Sequence, residues 1–124
     1  MKAHISSGVN AHPLLHELER TAKELPDKYS RVEVPYHGGT TGIGELHVSG
    51  PCEGEVTSAS ITQHSEKILV ATLDNDSSLD ALTAKRRLGV FLGPLLKRYN
   101  ETEKQNLAPD DQVVMIFEDD IQKV

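Results

Sequence analysis

Four glycines fall within eight residues in the run His37-Gly38-Gly39-Thr40-Thr41-Gly42-Ile43-Gly44. Glycine adopts backbone conformations with positive φ and lets a ligand approach the main chain closely. Successive main-chain N–H groups in such a loop can form a nest that binds an anion, and His37, Thr40 and Thr41 add side-chain donors. The spacing fits neither the dinucleotide fingerprint nor a P-loop. The run is therefore either a hairpin loop that needs glycine or a small-ligand site.

A histidine and a glutamate are predicted to meet on the outer face of the two strands that flank this loop. Matching the apolar faces of the strands pairs Val32 with Val48 and Val34 with Leu46, and it puts Glu33 opposite His47. A carboxylate can orient an imidazole for general acid–base catalysis, so His37 or His47 would act as acid or base in a catalytic site. An ordinary cross-strand charge pair is the alternative interpretation.

Two further histidines, His12 and His16, have the four-residue spacing that puts two imidazoles on one face of a helix, as in zinc sites. Because His12 precedes Pro13, which disfavours a helical backbone at residue 12, we expect His12 to flank the helix. A metal site at this pair is therefore only the alternative, and no cofactor is expected. The single cysteine, Cys52, excludes an internal disulfide, and the acidic Glu53 beside it does not favour a reactive thiolate.

A basic stripe is the remaining candidate for binding. Lys85-Arg86-Arg87 and Lys97-Arg98 lie eleven residues apart, which aligns them on one side of a continuous helix. Arginine and lysine side chains in such a stripe can bind a phosphate group or an acidic partner. The alternative is a solvated helix face that binds nothing.

Periodicity predicts the elements that position these residues. Leucines at helical spacing from Leu14 to Leu25 predict a first helix, which Pro26 ends. An apolar stripe from Leu79 to Tyr99 predicts a long helix that Gly93-Pro94 kinks or divides into a pair. Strands are predicted from Tyr29 to Tyr36, around Glu45–Val48, and over Glu55–Gln63, Lys67–Leu73 and Val113–Phe117, with a turn over Gly50–Gly54.

These elements predict one α+β domain over residues 1–124. Its order is an N-terminal helix, a four-stranded antiparallel meander, the long helix or helix pair, and a C-terminal strand. We expect one mainly antiparallel sheet of five strands with the helices on one face. The C-terminal strand is apolar throughout and is predicted to be buried on both faces. Residues 1–9 are predicted to form a loose arm or a short edge strand.

Composition limits the possible functions. The 124 residues are 37% hydrophobic and 26% charged, an ordinary globular balance, and the net charge is −6. An acidic chain is repelled by phosphate backbones, which disfavours nucleic-acid binding. No apolar run approaches the roughly 18 residues that span a bilayer, and the start shows no secretory signal. A cytoplasmic location without membrane contact is therefore expected.

Two functional hypotheses follow. The first is a non-enzymatic binding module that acts on a protein partner as an inhibitor, immunity factor, adaptor or assembly component, with a homodimer as one form of association. The second is a protein that binds a small phosphorylated ligand or nucleotide, or a hydrolase. It would use His37, the loop up to Gly44, and the stripe residues Arg86, Arg87, Lys97 and Arg98.

Overall fold

The computed structural model describes residues 2–7, 10–34, 44–74, 79–103 and 112–118. Eight elements follow one another along these residues. In chain order they are β1 (Lys2–Ser6), α1 (Ala11–Lys23), β2 (Arg31–Glu33), β3 (Glu45–Cys52), β4 (Glu55–Gln63), β5 (Ile68–Leu73), α2 (Ala81–Glu103) and β6 (Val114–Phe117).

The strands form one six-stranded sheet in the order β2-β3-β4-β5-β1-β6, and all five neighbouring pairs are antiparallel. The α+β class with an antiparallel sheet is therefore confirmed, and so is the meander, which is β2 to β5. β4 spans the residues predicted for it, and β5 is central, as its apolar sequence predicts. Neither helix in the described part of the chain has the length and apolar character that crossing a membrane would need.

The start of the chain differs from the prediction. Residues 2–6 form neither a loose arm nor an edge strand, because β1 lies between β5 and β6. Ala3 and Ile5 are fully buried, whereas Lys2, His4 and Ser6 alternate with them on the opposite face. Because Ala3 and Ile5 pack into the core, β1 is an inner strand of the sheet. The sheet therefore has six strands instead of the predicted five.

The core lies between the two helices and one face of the sheet. Strand residues that point to this side are buried and alternate with outward residues, as the period of a strand requires. Fully buried side chains come from α1, from α2 and from four strands; the largest are Ile5, Leu14, Leu18, Leu46, Val48, Ile61, Leu69, Leu88, Leu92 and Leu95. The helices therefore cover one face of the sheet, as the sequence predicts.

Helix α1 begins earlier than Pro13. Its first residue is Ala11, whose side chain is fully buried and whose N–H donates to the carbonyl oxygen of Glu66 at 2.8 Å. Pro13 lies within the first turn, where a residue's N–H has no intrahelical acceptor and its absence costs little. The prediction that His12 flanks the helix is therefore wrong: the contact with Glu66 and the burial of Ala11 extend the helix across the His12–Pro13 step.

Helix α2 is one continuous helix with Pro94 inside it, not a pair of helices. β6 differs from the prediction more strongly, because among the described strands it is the last of the sheet and has only β1 as a neighbour. Val114 is 50% exposed and Ile116 is 45% exposed, so the strand is not buried on both faces. An apolar run alone does not distinguish an edge strand from a central one.

The turn predicted for Gly50–Gly54 is shorter than expected, since β3 continues to Cys52. Only Glu53 and Gly54 connect β3 to β4, with φ values of 51° and 83°. Positive φ at both positions is typical of a two-residue hairpin turn. Gly50 is a strand residue, and a Cβ atom at this position would overlap the carbonyl oxygen of Lys28. Its glycine therefore permits a close backbone approach rather than a turn.

Candidate functional site

The glycine run falls mostly outside the described residues, which include neither His37 nor Gly38, Gly39, Thr40, Thr41 and Gly42. Gly44 is described: its carbonyl oxygen accepts a hydrogen bond from the N–H of Gln63 at 3.2 Å. A Cβ atom on Gly44 would overlap the side chain of the buried Leu15. Packing against α1 therefore accounts for this glycine, and a ligand site in the loop stays a prediction.

The predicted register of β2 and β3 is confirmed for two pairs, because Val32 lies opposite Val48 and Glu33 lies opposite His47. β2 ends at Glu33, and Val34, predicted to point inward opposite Leu46, is 38% exposed. The two side chains of the acid–base pair have other partners. Nε2 of His47 lies 2.6 Å from Oε1 of Glu45, two residues away on the same strand face. Nε of Arg31 donates to Oε1 of Glu33 at 2.7 Å. The structure thus has two same-strand pairs where catalysis would need one cross-strand pair.

In the first half of the basic stripe, two arginines form ion pairs with glutamates of the same chain. The guanidinium of Arg86 pairs with Glu53 at 3.1 Å, and that of Arg87 pairs with Glu55 at 2.6 Å. These two pairs connect α2 to the turn between β3 and β4 and to the first residue of β4. Lys97 and Arg98 are exposed in the second half of the same helix. Arg87 also lines a cavity of about 300 Å³, and its Nε is buried without a hydrogen-bond partner among the described residues.

Cys52 does not have the surroundings of a nucleophile. Burial raises the pKa of its thiol, and the negative charge of the neighbouring Glu53 acts in the same direction, while Arg87 opposes it. The side chain is only 6% exposed. The protonated thiol is the favoured form, which agrees with the interpretation from sequence.

His12 and His16 are brought together by the early start of α1. Both side chains are exposed, and their ring centroids lie 4.8 Å apart with the ring planes at 84°. A second histidine pair, His4 and His64, has ring centroids 6.1 Å apart. It lies in a groove of about 420 Å³ whose lining includes Lys2 and Glu118.

The face of the sheet turned away from the helices, called the open face below, divides into two halves. Hydroxyl side chains occupy much of the β3–β4 half, where Ser49 is hydrogen-bonded to Ser58. The β5–β1–β6 half is apolar around His4, which lies between Val70 and Ile116; Ser6 lies between Ile68 and Val114 in the next row. We call these four side chains the apolar patch: Ile68, Val70, Val114 and Ile116.

Models of known protein families, curated proteins and solved structures were all compared with this chain, and none matches it. The function therefore has to be inferred from its own residues. The apolar patch was not identified from sequence, because its members come from β5 and β6, which β1 separates. The signals that could have found it are the alternation over residues 2–6 and the acidic residues on both sides of β6.

Proposed function

We propose that the protein is a non-enzymatic binding module that adds an extended segment of a partner protein to the edge of β6. One observation carries this proposal: among the described strands β6 is an edge strand, and its Val114 and Ile116 are half exposed on the open face, across β1 from Ile68 and Val70. An edge strand has unpaired main-chain N–H and C=O groups that can pair with another chain.

The energy of such docking would come from two sources. Main-chain hydrogen bonds along the strand give affinity without much specificity, and the side-chain pockets between strands select the partner. Fully burying a valine or isoleucine side chain contributes roughly 1.5–3 kcal/mol. Because Val114 and Ile116 are already about half buried, covering them would contribute about half of that for each.

Charge indicates the kind of partner. In the sequence, Asp110 and Asp111 precede the apolar run of β6, and Glu118, Asp119 and Asp120 follow it. An antiparallel pair of two β6 strands from two copies would bring the acidic end of each close to the acidic start of the other, which is unfavourable. A partner segment with an apolar centre and lysine or arginine at both ends is the better complement.

The catalytic alternative receives less support from the same contacts. It requires His47 and Glu33 to work together, whereas His47 is paired with Glu45 and Glu33 with Arg31. The ligand-binding alternative relies on Arg86 and Arg87, which both have carboxylate partners. Binding of a protein segment needs none of these groups to change partners.

The test is the affinity of the protein for a fluorescent peptide with alternating valines and lysines at both ends, measured by anisotropy. The same peptide with glutamates at both ends should bind at least about tenfold more weakly, and added salt should reduce the difference. Ile116→Asp should weaken binding of the lysine peptide. Leu82→Asp is the matched control, since Leu82 is 78% exposed and lies on α2. Equal affinity for the two peptides, or equal effects of the two substitutions, would contradict the proposal.

A further inference from the structure

Helix α1 presents two imidazoles side by side on its exposed surface. His12 is the second residue of the helix, and His16 follows one turn later on the same face. The ring centroids are 4.8 Å apart, and both side chains are exposed to solvent. The objection from sequence, that Pro13 keeps His12 out of the helix, does not hold in this fold.

We propose that His12 and His16 together bind a divalent transition-metal ion of the class of Zn²⁺, Ni²⁺ and Cu²⁺. Imidazole nitrogen is a preferred ligand for these ions, whereas Mg²⁺ and Ca²⁺ prefer oxygen. The pair lies on α1, away from the open face, so this site is independent of the function proposed for β6.

The spacing of the rings fits a shared ion. A metal bound at about 2.1 Å from an imidazole nitrogen lies about 3.2 Å from the ring centroid. Two such rings at ligand angles of about 90–109° have centroids about 4.5–5.2 Å apart, and the observed 4.8 Å falls inside this interval. Because χ2 of histidine is broadly distributed, the exposed rings can each turn a nitrogen toward the shared point. His4 and His64, at 6.1 Å, lie outside the interval.

The rest of the coordination shell is left to water. Glu17 and Glu19, the neighbouring carboxylates on α1, are paired with Arg20 and Lys23. Among the described residues, no group of three or more His, Cys, Asp and Glu side chains is arranged to hold a metal. The positive potential at a helix N-terminus also opposes a cation here. The site is therefore a two-histidine chelate with open positions and modest affinity.

The test is a calorimetric titration of the whole chain with Zn²⁺, using His12→Gln, His16→Gln and the control His64→Gln. All three histidines are exposed, so each variant should fold. Chelation requires both ligands, and we expect each of the first two substitutions to lower the Zn²⁺ affinity at least about tenfold. His64→Gln should change it less than about twofold, and Mg²⁺ should give no binding heat.

A second measurement localises the ion. Paramagnetic Ni²⁺ should broaden the imidazole NMR signals of His12 and His16 at the same, lowest metal concentration, before those of His4 and His64. The proposal is overturned if only one of the two substitutions lowers the Zn²⁺ affinity, if neither does, or if His64→Gln lowers it equally. Broadening that begins at another histidine would also overturn it.

Discussion

The hydroxyl of Tyr29 donates a hydrogen bond to the carbonyl oxygen of Phe91 at 2.6 Å, and the two rings meet edge to face with centroids 5.3 Å apart. This contact joins the segment between α1 and β2 to the middle of α2. It lies next to Pro94, whose missing N–H leaves the carbonyl of Val90 without its helical donor. Tyr29 therefore holds α2 to the rest of the fold near the position where the helix is intrinsically weakest.

Tyr29→Phe keeps the ring contact and removes the hydrogen bond, so it should lower the free energy of unfolding by about 1–2 kcal/mol. Tyr29→Ala also removes the ring packing and should cost about 3–5 kcal/mol. Urea unfolding followed by circular dichroism measures both values. Equal stability of the phenylalanine variant and the wild type would show that the hydrogen bond contributes nothing.

The same tyrosine should make stability depend on alkaline pH. Burial raises the pKa of Tyr29 far above its usual value near 10, so the fold favours the protonated hydroxyl. Its contribution is complete below the unfolded pKa of about 10 and is lost as pH rises toward the folded pKa. Between pH 8 and pH 11 the urea midpoint of the wild type should fall more steeply than that of Tyr29→Phe. If the urea midpoints of the wild type and Tyr29→Phe fall equally with pH, ionisation of Tyr29 does not cause the loss of stability.

Two glycines should respond in opposite ways to alanine. A Cβ atom at Gly50 would overlap the main chain of Lys28, which cannot move away as a side chain can, so Gly50→Ala should destabilise by about 1–3 kcal/mol. Gly93 lies inside α2, and outside the backbone of its own helix and its chain neighbours no heavy atom of the described residues lies within 4 Å of the added Cβ, so Gly93→Ala should stabilise by about 0.5–1 kcal/mol. Urea unfolding of both variants measures whether each substitution raises or lowers the free energy of unfolding. A lower value for Gly93→Ala would show that the added methyl group is not accommodated at that position.

The start of α2 depends on Asp80, whose carboxylate accepts hydrogen bonds from the N–H of Thr83 at 2.8 Å and from its hydroxyl at 3.0 Å. The main-chain bond and then the hydroxyl bond hold the pKa of Asp80 below its usual 3.8. This stabilisation is present above the unfolded pKa and is lost as pH falls through the folded pKa.

Asp80→Ala should therefore lower the thermal midpoint at pH 7. Asp80→Asn retains an N-cap acceptor but does not titrate, so its midpoint should fall less than that of the wild type between pH 7 and pH 3. Differential scanning calorimetry at the two pH values makes the comparison. If the thermal midpoint falls by the same amount in the wild type and in Asp80→Asn, the titration of Asp80 does not contribute to the acid sensitivity of the fold.

The parts of the fold that were predictable are those that local pattern determines. Alternation gives the register of β2 and β3, since slipping Val32 by one residue would turn it away from the core. The start of α1 was not predictable, because it depends on the carbonyl of Glu66, which is distant in the sequence. Neither was the edge position of β6, because a run of apolar residues does not specify how many strands lie beside it.

For the candidate site, the sequence gives the cross-strand position of His47 correctly but not its partner. Position across a sheet is set by backbone pairing, whereas the choice between Glu33 and Glu45 depends on rotamers and on competition from Arg31 for Glu33. The histidine pair on α1 shows the same limit. Its spacing is visible in the sequence, but whether His12 is helical depends on contacts made by Ala11.

Hydrogen–deuterium exchange of the protein with and without the lysine-flanked valine peptide tests the binding function proposed for β6 most directly. Pairing of a partner strand with β6 predicts slower exchange at residues 114–117, with little change at residues 81–90 of α2. Ile116→Asp should remove the protection and Leu82→Asp should keep it. Protection that appears elsewhere while residues 114–117 exchange at the same rate, or that survives Ile116→Asp, would contradict the account.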